Sequence, residues 1–427
     1  MPDWIQILTT PEELPRRAIR AVDVRLRPRL RALEAWGWLG RTFRPVLDWR
    51  GRVHVFRFDD VRSVLSRPDE FGVATFGERM QETIGPFFLG MDDSTQYRVE
   101  SGAFRDALDL SDARLTDVQR AVSGLAANGV ERALKLRGEV DVVRDLADEV
   151  PLAFASAFFG IPEPQHDGET LVGLFRAASS YVFGVDMESR RPAAREAGAK
   201  IAAHLRSVVA ERSAQLDAGR PARSDVLGRM LAASRTNPAI KENLIARCLA
   251  GSFSGTVIPT SWLFIEAVDR LLRLPSARRA QLGAHAQAGD TSKVRAFVLE
   301  AARFFPFPPV ILRRARCDAW IGGRRVEAGT DIILEMSSAA VDPRSVPQAA
   351  RFRPGRPEGE RMLFGHHRHA CMGQPIGEAL LTAMAVALFS QRGLRRASGS
   401  RGFLQYEPRD ATANGPYPKS LVLVADD

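Results

Sequence analysis

One cysteine, in a short run rich in glycine and histidine, limits the possible folds of this chain more than any other residue. Cys371 stands in the run FGHHRHACMG, residues 364–373, a Gly-bounded turn that leads at once into a helical pattern. No second cysteine lies nearby for a disulfide, and the run lacks the ligand spacing of a tetrahedral metal site. Cys371 is therefore expected to act alone.

Two interpretations fit a lone cysteine in such a turn. A thiolate there suits an axial ligand to haem iron, where it pushes electron density onto the metal and favours O–O cleavage. The plainer alternative is that Cys371 packs as a small buried apolar residue, which is a common fate of a free cysteine. A metal cluster of His366, His367 and His369 is disfavoured, because the tight loop that contains them already has a stronger role.

The run resembles the cysteine loop of the cytochrome P450 superfamily, usually written F-G-x-G-x-H-x-C-x-G. Five positions match it, namely Phe364, Gly365, His369, Cys371 and Gly373. His367 takes the place of the second glycine, where positive φ is usual and His is one of the tolerated residues. The resemblance implies a P450 fold, mainly α with smaller β-sheets (α+β). It also implies haem b (iron protoporphyrin IX), bound through Cys371 between the long central helix and the cysteine loop with its following helix.

Local patterns along the chain predict a mostly helical protein with small sheets. Alternating apolar residues around Gly51 predict a hairpin, and a short helix starts at Asp59 and stops at Pro68. Residues 112–290 should be mostly helical, with breaks at 160–162 and 219–221 and one long helix over about 238–274. Residues 317–335 and the stretch from 392 are predicted strands. We expect one domain over 1–427, with an N-terminal extension and first helix in 1–45 and the family match over 46–427.

Composition excludes several classes of function. The chain has 427 residues, 45% hydrophobic and 26% charged, with a net charge of +9. Basic residues alternate with acids and form no nucleic-acid motif, so no nucleic-acid partner is expected. No apolar run reads as long enough to span a bilayer, which predicts no membrane anchor. Three cysteines without a framework pattern predict a reducing, cytoplasmic setting.

A charged pair upstream of the loop has a structural role by the same resemblance. Glu300 and Arg303 lie three residues apart on one helix face, where they can pair. Downstream, Arg356 lies in a segment that resembles the family loop whose arginine completes a Glu-Arg-Arg network. The resemblance implies a buried cluster that holds the cysteine loop rigid and performs no chemistry.

The resemblance also assigns contacts to the two haem carboxylates. Arg313 matches the first arginine of an R-x-A-x-x-D run, and His369 supplies a second contact. On the helix around residues 94–104, two alignments remain open. Counting back from Phe104 makes Arg98 the third contact, with Ser94 as its partner, whereas counting forward gives Gln96 and Glu100. Arg98 is favoured, because a carboxylate beside the propionates would repel them.

The central helix departs most from the family pattern. P450 monooxygenases carry A-G-x-[D/E]-T there, and this chain reads AGSFSGT from Ala250. Gly251 matches, Phe253 replaces the acid and Ser254 replaces the threonine. The acid and alcohol normally relay protons. Ser254 can still hydrogen-bond, Ser252 and Thr256 are further candidates, and a proton must then arrive through water or from the substrate. Pro259 is expected to kink or widen this helix.

These features lead to three hypotheses of function. The first is a haem-thiolate monooxygenase that hydroxylates a hydrophobic small molecule, with electrons from a ferredoxin and a ferredoxin reductase. The second is an enzyme that uses peroxide, or isomerises or dehydrates a hydroperoxide, which the missing acid favours. The third is a catalytically silent member that binds haem and recruits a partner. Candidate lining residues of an apolar pocket are Phe71, Phe76, Phe87, Phe88, Phe253, Phe304, Phe305, Phe307, Val310 and Ile311.

Overall fold

The computed structural model describes residues 28–164, 170–184, 188–412 and 415–426. Helices dominate the chain, as the sequence predicts. In chain order they are α1 (Pro28–Phe43), α2 (Phe58–Leu65), α3 (Ala74–Glu82), α4 (Thr95–Leu108), α5 (Asp112–Arg137), α6 (Glu149–Phe159), α7 (Leu171–Val182), α8 (Arg191–Asp217), α9 (Val226–Ser234), α10 (Glu242–Leu271), α11 (Ser276–Gln287), α12 (Thr291–Arg303), α13 (Met336–Ala339) and α14 (Gln374–Phe389). A π-helical turn, Val142–Asp148, precedes α6.

The strands are short and form four small sheets. In chain order they are β1 (Val46–Trp49), β2 (Arg52–Val55), β3 (Phe71–Gly72), β4 (Glu139–Asp141), β5 (Ile311–Ala315), β6 (Ala319–Ile321), β7 (Arg324–Val326), β8 (Asp331–Leu334), β9 (Arg395–Arg396), β10 (Gln405–Thr412), β11 (Gly415–Ser420) and β12 (Val422–Val424). The largest sheet has the order β1-β2-β8-β5-β3. Within it only β2 and β8 run parallel, with Val53 opposite Ile332.

Local chemistry explains where the helices begin and end. The side chains of Ser111 and Asp225 cap α5 and α9 by accepting hydrogen bonds from backbone N–H groups in the first turn. Gly138 and Gly160 end α5 and α6 in the left-handed conformation that glycine adopts at little cost. The predicted hairpin at Gly51, the helix from Asp59 and the two breaks are confirmed.

Apolar side chains form two core clusters. The larger one unites the helices around α10, including Phe253, Leu263 and Leu388. The smaller one lies on the five-stranded sheet and contains Val55 and Leu334. The side chain of Ile311 packs against both clusters, so β5 links the sheet to the helices. The single-domain organisation stays a prediction.

The long central helix is α10, which begins and ends within four residues of its expected limits. It continues through Pro259 as one helix, so the proline does not end it. Contrary to the sequence prediction, α10 is long and apolar enough to cross a membrane by length and composition. Within the described residues it is the single helix that passes this test, and 83% of its most apolar window is buried inside the protein. This burial is typical of the core helix of a globular fold.

Candidate active site

The cysteine loop is a tight turn closed by backbone hydrogen bonds. The Cys371 N–H donates to the carbonyl of Phe364 over 2.7 Å, and the Ala370 N–H donates to the carbonyl of His367 over 3.1 Å. Gly365 has φ 73° and His367 has φ 61°. The position of the second family glycine therefore does adopt the left-handed conformation, here with a histidine. Helix α14 begins three residues after Cys371.

The Cys371 side chain combines solvent access with desolvation of its thiol. It is accessible to solvent, yet burial raises the pKa of its thiol, and only the Gly373 amide opposes that shift. A side chain that is accessible and desolvated together lies in a narrow cleft and not on the open surface. Among the described residues, no three His, Cys, Asp or Glu side chains are grouped to hold a metal ion.

Two basic side chains at the cysteine loop, Arg313 and His369, have few or no hydrogen-bond partners for their nitrogen atoms. Arg313 is 5% exposed, and burial lowers the pKa of its guanidinium to about 10, with Asp92 opposing. Its only hydrogen bond to the described residues runs from Nη1 to the carbonyl of Leu312. Burial, then the charges of Arg313 and Arg368, lower the pKa of His369 to about 4, and its Nδ1 is buried with no partner.

These two side chains fit the carboxylates of a haem. A buried guanidinium without a carboxylate partner is costly, and so is a buried ring nitrogen without a hydrogen bond. Both costs are removed when an anionic group lies between Arg313 and His369. The haem predicted from the cysteine loop carries two such groups, so the residues present are those that it requires.

Helix α4 does not bring Arg98 to this pair. The Arg98 guanidinium is 63% exposed and pairs with Asp93 over 2.9 Å. Ser94 caps the helix by accepting from the Tyr97 N–H, so its hydroxyl is used there. Tyr97, which sequence reasoning missed, packs its ring 5.8 Å from that of His369.

The alternative alignment of α4 gives a buried contact with the central helix. Glu100 is 5% exposed, and its Oε1 accepts from Gln96 over 2.8 Å and from Arg247 over 3.1 Å. Its Oε2 is buried with no partner. Arg247 is a residue that sequence reasoning missed, although it is the only charged residue between Glu242 and Glu266 and so could have been noticed.

Phe253 and Ser254, at the acid and alcohol positions, both contact helix α7. The Phe253 ring stacks on Phe175 with centroids 4.5 Å apart, and Phe253 is fully buried. The Ser254 hydroxyl shares a hydrogen bond of 2.9 Å with that of Ser179. Neither side chain therefore offers an acid, and the Ser254 hydroxyl already shares a hydrogen bond with α7.

The accessible face of α10 is formed by other residues. Gly255 is exposed within an otherwise buried helix, and Thr256 and Pro259 beside it are partly buried. Gly251 lies under the Phe87 ring, where an added Cβ would come within 2.5 Å of ring carbons. The Ser252 hydroxyl donates to the carbonyl of Cys248 in its own helix.

Of the ten expected pocket residues, half are packed in the interior, namely Phe71, Phe76, Phe87, Phe88 and Phe253. The segment after α12 stays partly accessible at the other five positions, namely Phe304, Phe305, Phe307, Val310 and Ile311. The Phe304 ring is covered by the guanidinium groups of Arg270 and Arg303. The accessible apolar wall is therefore smaller than the sequence suggests.

The predicted Glu300 cluster is confirmed and fully buried. Glu300 receives hydrogen bonds from Arg303 over 2.8 and 3.1 Å and from Arg356 Nε over 3.2 Å. Both arginines also donate to backbone carbonyls of residues 340–351, the segment that leads towards the cysteine loop. Because every charge is paired, this cluster holds the backbone and offers no site for a ligand.

Comparisons with known proteins agree with this geometry. The family model described as Cytochrome P450 matches residues 287–391, which include the Glu300 cluster and the cysteine loop. The putative cytochrome P450 YjiB of Bacillus subtilis is 22% identical over 79% of this chain and 81% of its own length. The haem domain of CYP116B5 from Acinetobacter radioresistens shares the fold, with a TM-score of 0.76, 18% identity and coverage of 94% and 95% of the two chains.

Two fungal proteins named bifunctional dioxygenase–epoxy alcohol synthase are also similar. The one from Pyricularia oryzae is 25% identical over 67% of this chain, and the one from Fusarium oxysporum is 31% identical over 24% of it. The chain spans only 28% and 9% of the lengths of these two relatives. Similarity is thus limited to one part of each fungal protein.

Proposed function

Because the chain belongs to the cytochrome P450 superfamily, we propose that it is a haem-thiolate oxidoreductase. In this proposal it transfers oxygen to an apolar small molecule and takes that oxygen from a peroxide or an organic hydroperoxide. When bound, haem b with a thiolate ligand supplies cleavage of the O–O bond. Cys371 is the ligand in this proposal. Arg313 and His369 bind the carboxylates and fix the orientation of the group.

One observation carries the choice of oxygen source, namely the contacts of Phe253 and Ser254 with α7. A reaction that uses dioxygen consumes two electrons and two protons from outside for each molecule hydroxylated, and water leaves. A reaction that uses a hydroperoxide, S–H + ROOH → S–OH + ROH, needs neither. Phe253 carries no proton to donate and the Ser254 hydroxyl is bound to Ser179. The hydroperoxide reaction needs no external proton, so it can proceed without an acid on α10.

The fungal relatives support the same choice. Their name joins a dioxygenase with an epoxy alcohol synthase. An epoxy alcohol has the same atoms as the unsaturated hydroperoxide that a dioxygenase forms, so rearrangement reaches it without external electrons. We therefore include an unsaturated hydroperoxide among the substrates, which this chain would isomerise.

Hydroxylation with dioxygen, a ferredoxin and its reductase is the second candidate, and a basic groove favours it. A groove of about 570 Å³ is lined by Arg278, Lys293, Arg351 and Arg353, and its described lining residues include no Asp or Glu. Such a surface would attract an acidic electron donor. A silent haem protein is the third candidate, because the positions of His367, Glu100 and Phe253 all depart from the family pattern.

The test compares two oxygen sources on the same haem-loaded protein. Product from a panel of apolar compounds and unsaturated hydroperoxides is measured with peroxide alone, and separately with NAD(P)H and a surrogate ferredoxin system. We expect product with peroxide or hydroperoxide at a rate well above that of free haemin, and little with the electron-transfer system. Product that forms only with electron transfer would establish the second candidate. No product under either condition would establish the third.

A further inference from the structure

A buried polar group lies where helix α7, the π-helical turn and strand β11 meet. Arg176 on α7 pairs with Asp148, at the end of the turn, with Nη2 and Oδ1 2.6 Å apart. The Tyr417 ring on β11 lies beneath that guanidinium, 3.6 Å from its central carbon. We call these three side chains the polar recess. Arg176 directly follows Phe175, so the helix that holds Phe253 also forms the recess.

The polar recess contains two hydrogen-bond donors that are poorly matched. Arg176 Nε is buried without a hydrogen-bond partner. The Tyr417 hydroxyl makes no hydrogen bond of regular geometry, although Asp148 and Ser261 lie close enough to influence its pKa. Tyr417 is only 3% exposed, and burial raises the pKa of its hydroxyl to about 12, so it keeps its proton at neutral pH. Buried donors in native proteins are nearly always well matched, and this poorly matched pair therefore points to a further acceptor. The acceptor must be an oxygen or nitrogen atom with a free lone pair.

The recess is partly accessible to solvent. The side chains of Arg176 and Asp148 are 27% and 30% exposed, while burial raises the pKa of the Asp148 carboxyl. This combination resembles that of Cys371 and indicates a narrow cleft. Aromatic rings continue from the polar recess. The Trp262 ring centroid lies 5.9 Å from that of Tyr417 and 5.8 Å from that of Phe307. Phe307 belongs to the partly accessible loop that leads to Arg313.

We propose that the polar recess binds a carbonyl oxygen of the substrate, in an ester, ketone or amide group, and so orients an otherwise apolar molecule. The proposal rests on the proposed function, since it takes the ligand to be the substrate of the haem site. Asp148 already neutralises Arg176, so a second carboxylate would meet the charge of Asp148. An uncharged acceptor satisfies both donors without that repulsion. Arg176 and Tyr417 are thus specificity-determining residues.

The experiment measures binding of three matched probes to the haem-loaded protein by calorimetry. The probes are methyl decanoate, decanoic acid and undecane, which differ mainly in the head group. We expect methyl decanoate to bind about tenfold tighter than undecane, the effect of about one good hydrogen bond. Tyr417→Phe should remove that preference, leave undecane unchanged and leave the melting temperature unchanged or higher. Tyr181→Phe, the same change on α7 outside the recess, should keep the preference.

Several results would overturn the proposal. Decanoic acid as the tightest probe would show that the recess selects charge. Equal affinity for all probes, or no binding of any, would show that it selects nothing. A lower melting temperature in Tyr417→Phe with the ester preference intact would make the hydroxyl a structural partner of Asp148.

The failure of this proposal is distinguishable from the failure of the proposed function. Turnover with peroxide but no preference for the ester would contradict only the proposal for the recess. An ester preference that depends on Tyr417, in a protein without turnover, would support the proposal for the recess and contradict the proposed activity.

Discussion

Two groups of buried or partly buried basic side chains differ in their hydrogen bonds. Arg303 and Arg356 each bind Glu300 and several backbone carbonyls, so their charges and donors are matched. Arg313 binds one carbonyl and His369 leaves Nδ1 without a partner. Matched donors indicate a group that holds the backbone, whereas unmatched donors indicate a group that waits for a ligand. By this criterion Ser254, which is bound to Ser179, belongs with the structural residues.

The largest effect is expected at Cys371, in the loop that the matched group holds and that contains His369 of the unmatched group. Cys371→Ala removes the only thiol of the loop, so the reduced carbon monoxide complex should lose the red-shifted Soret band of thiolate ligation. Absorption spectroscopy of the purified protein measures this band. The matched controls Cys248→Ala and Cys317→Ala should retain it. A normal thiolate spectrum in Cys371→Ala would contradict the assignment of the ligand.

Arg303→Ala tests the matched group. The substitution removes one of the two arginines that pair with the buried Glu300. This loss should lower the free energy of unfolding by about 3–5 kcal/mol. Urea denaturation monitored by circular dichroism measures the loss, and little haem-loaded protein should accumulate. A stable, fully loaded variant with altered turnover would show that Arg303 acts in catalysis instead.

Arg313→Ala tests the unmatched group and should behave in the opposite way. The haem-free protein should lose no stability, because Arg313 makes one hydrogen bond and is costly to bury. Haem should instead be lost faster, on the order of tenfold, which is the effect of one charge-assisted hydrogen bond. Transfer of haem to excess apomyoglobin measures this rate. Equal loss of stability in Arg313→Ala and Arg303→Ala would remove the distinction between the groups.

The smallest effect on stability is expected at His367, in the turn of the cysteine loop. His367 has φ 61°, a conformation that glycine adopts at lower cost. His367→Gly should therefore raise the free energy of unfolding by about 0.5–1 kcal/mol and leave the spectrum unchanged. Thermal unfolding measures the change. A loss of stability would mean that the imidazole makes a contact of its own that outweighs the backbone strain.

The sequence predicted the matched group better than the rest of the site. Glu300 and Arg303 share a helix face, and Cys371 has a fixed spacing to Phe364, so local geometry determines these relations. On α4 two alignments that differ by two residues gave Arg98 or Glu100. Only the partners that these side chains find separate the two, namely Asp93 for Arg98 and Arg247 for Glu100. The sequence indicated that position 253 lacks an acid. It did not indicate that the Phe253 ring stacks on Phe175, because α7 lies about 80 residues earlier in the chain.

The most direct test of the account concerns position 253. Phe253→Glu restores a carboxyl there, and Phe253→Gln is the matched control without an acid. Product formed per NAD(P)H consumed, with a surrogate ferredoxin system, is compared with product formed per peroxide consumed in wild type and both variants. Because position 253 points to α7, we expect no gain in electron-driven product from the glutamate, and peroxide turnover that is flat or lower in both variants. A rise of about 10²–10⁴-fold in electron-driven product in Phe253→Glu alone would contradict the account, since it would show a proton relay that lacks only its acid.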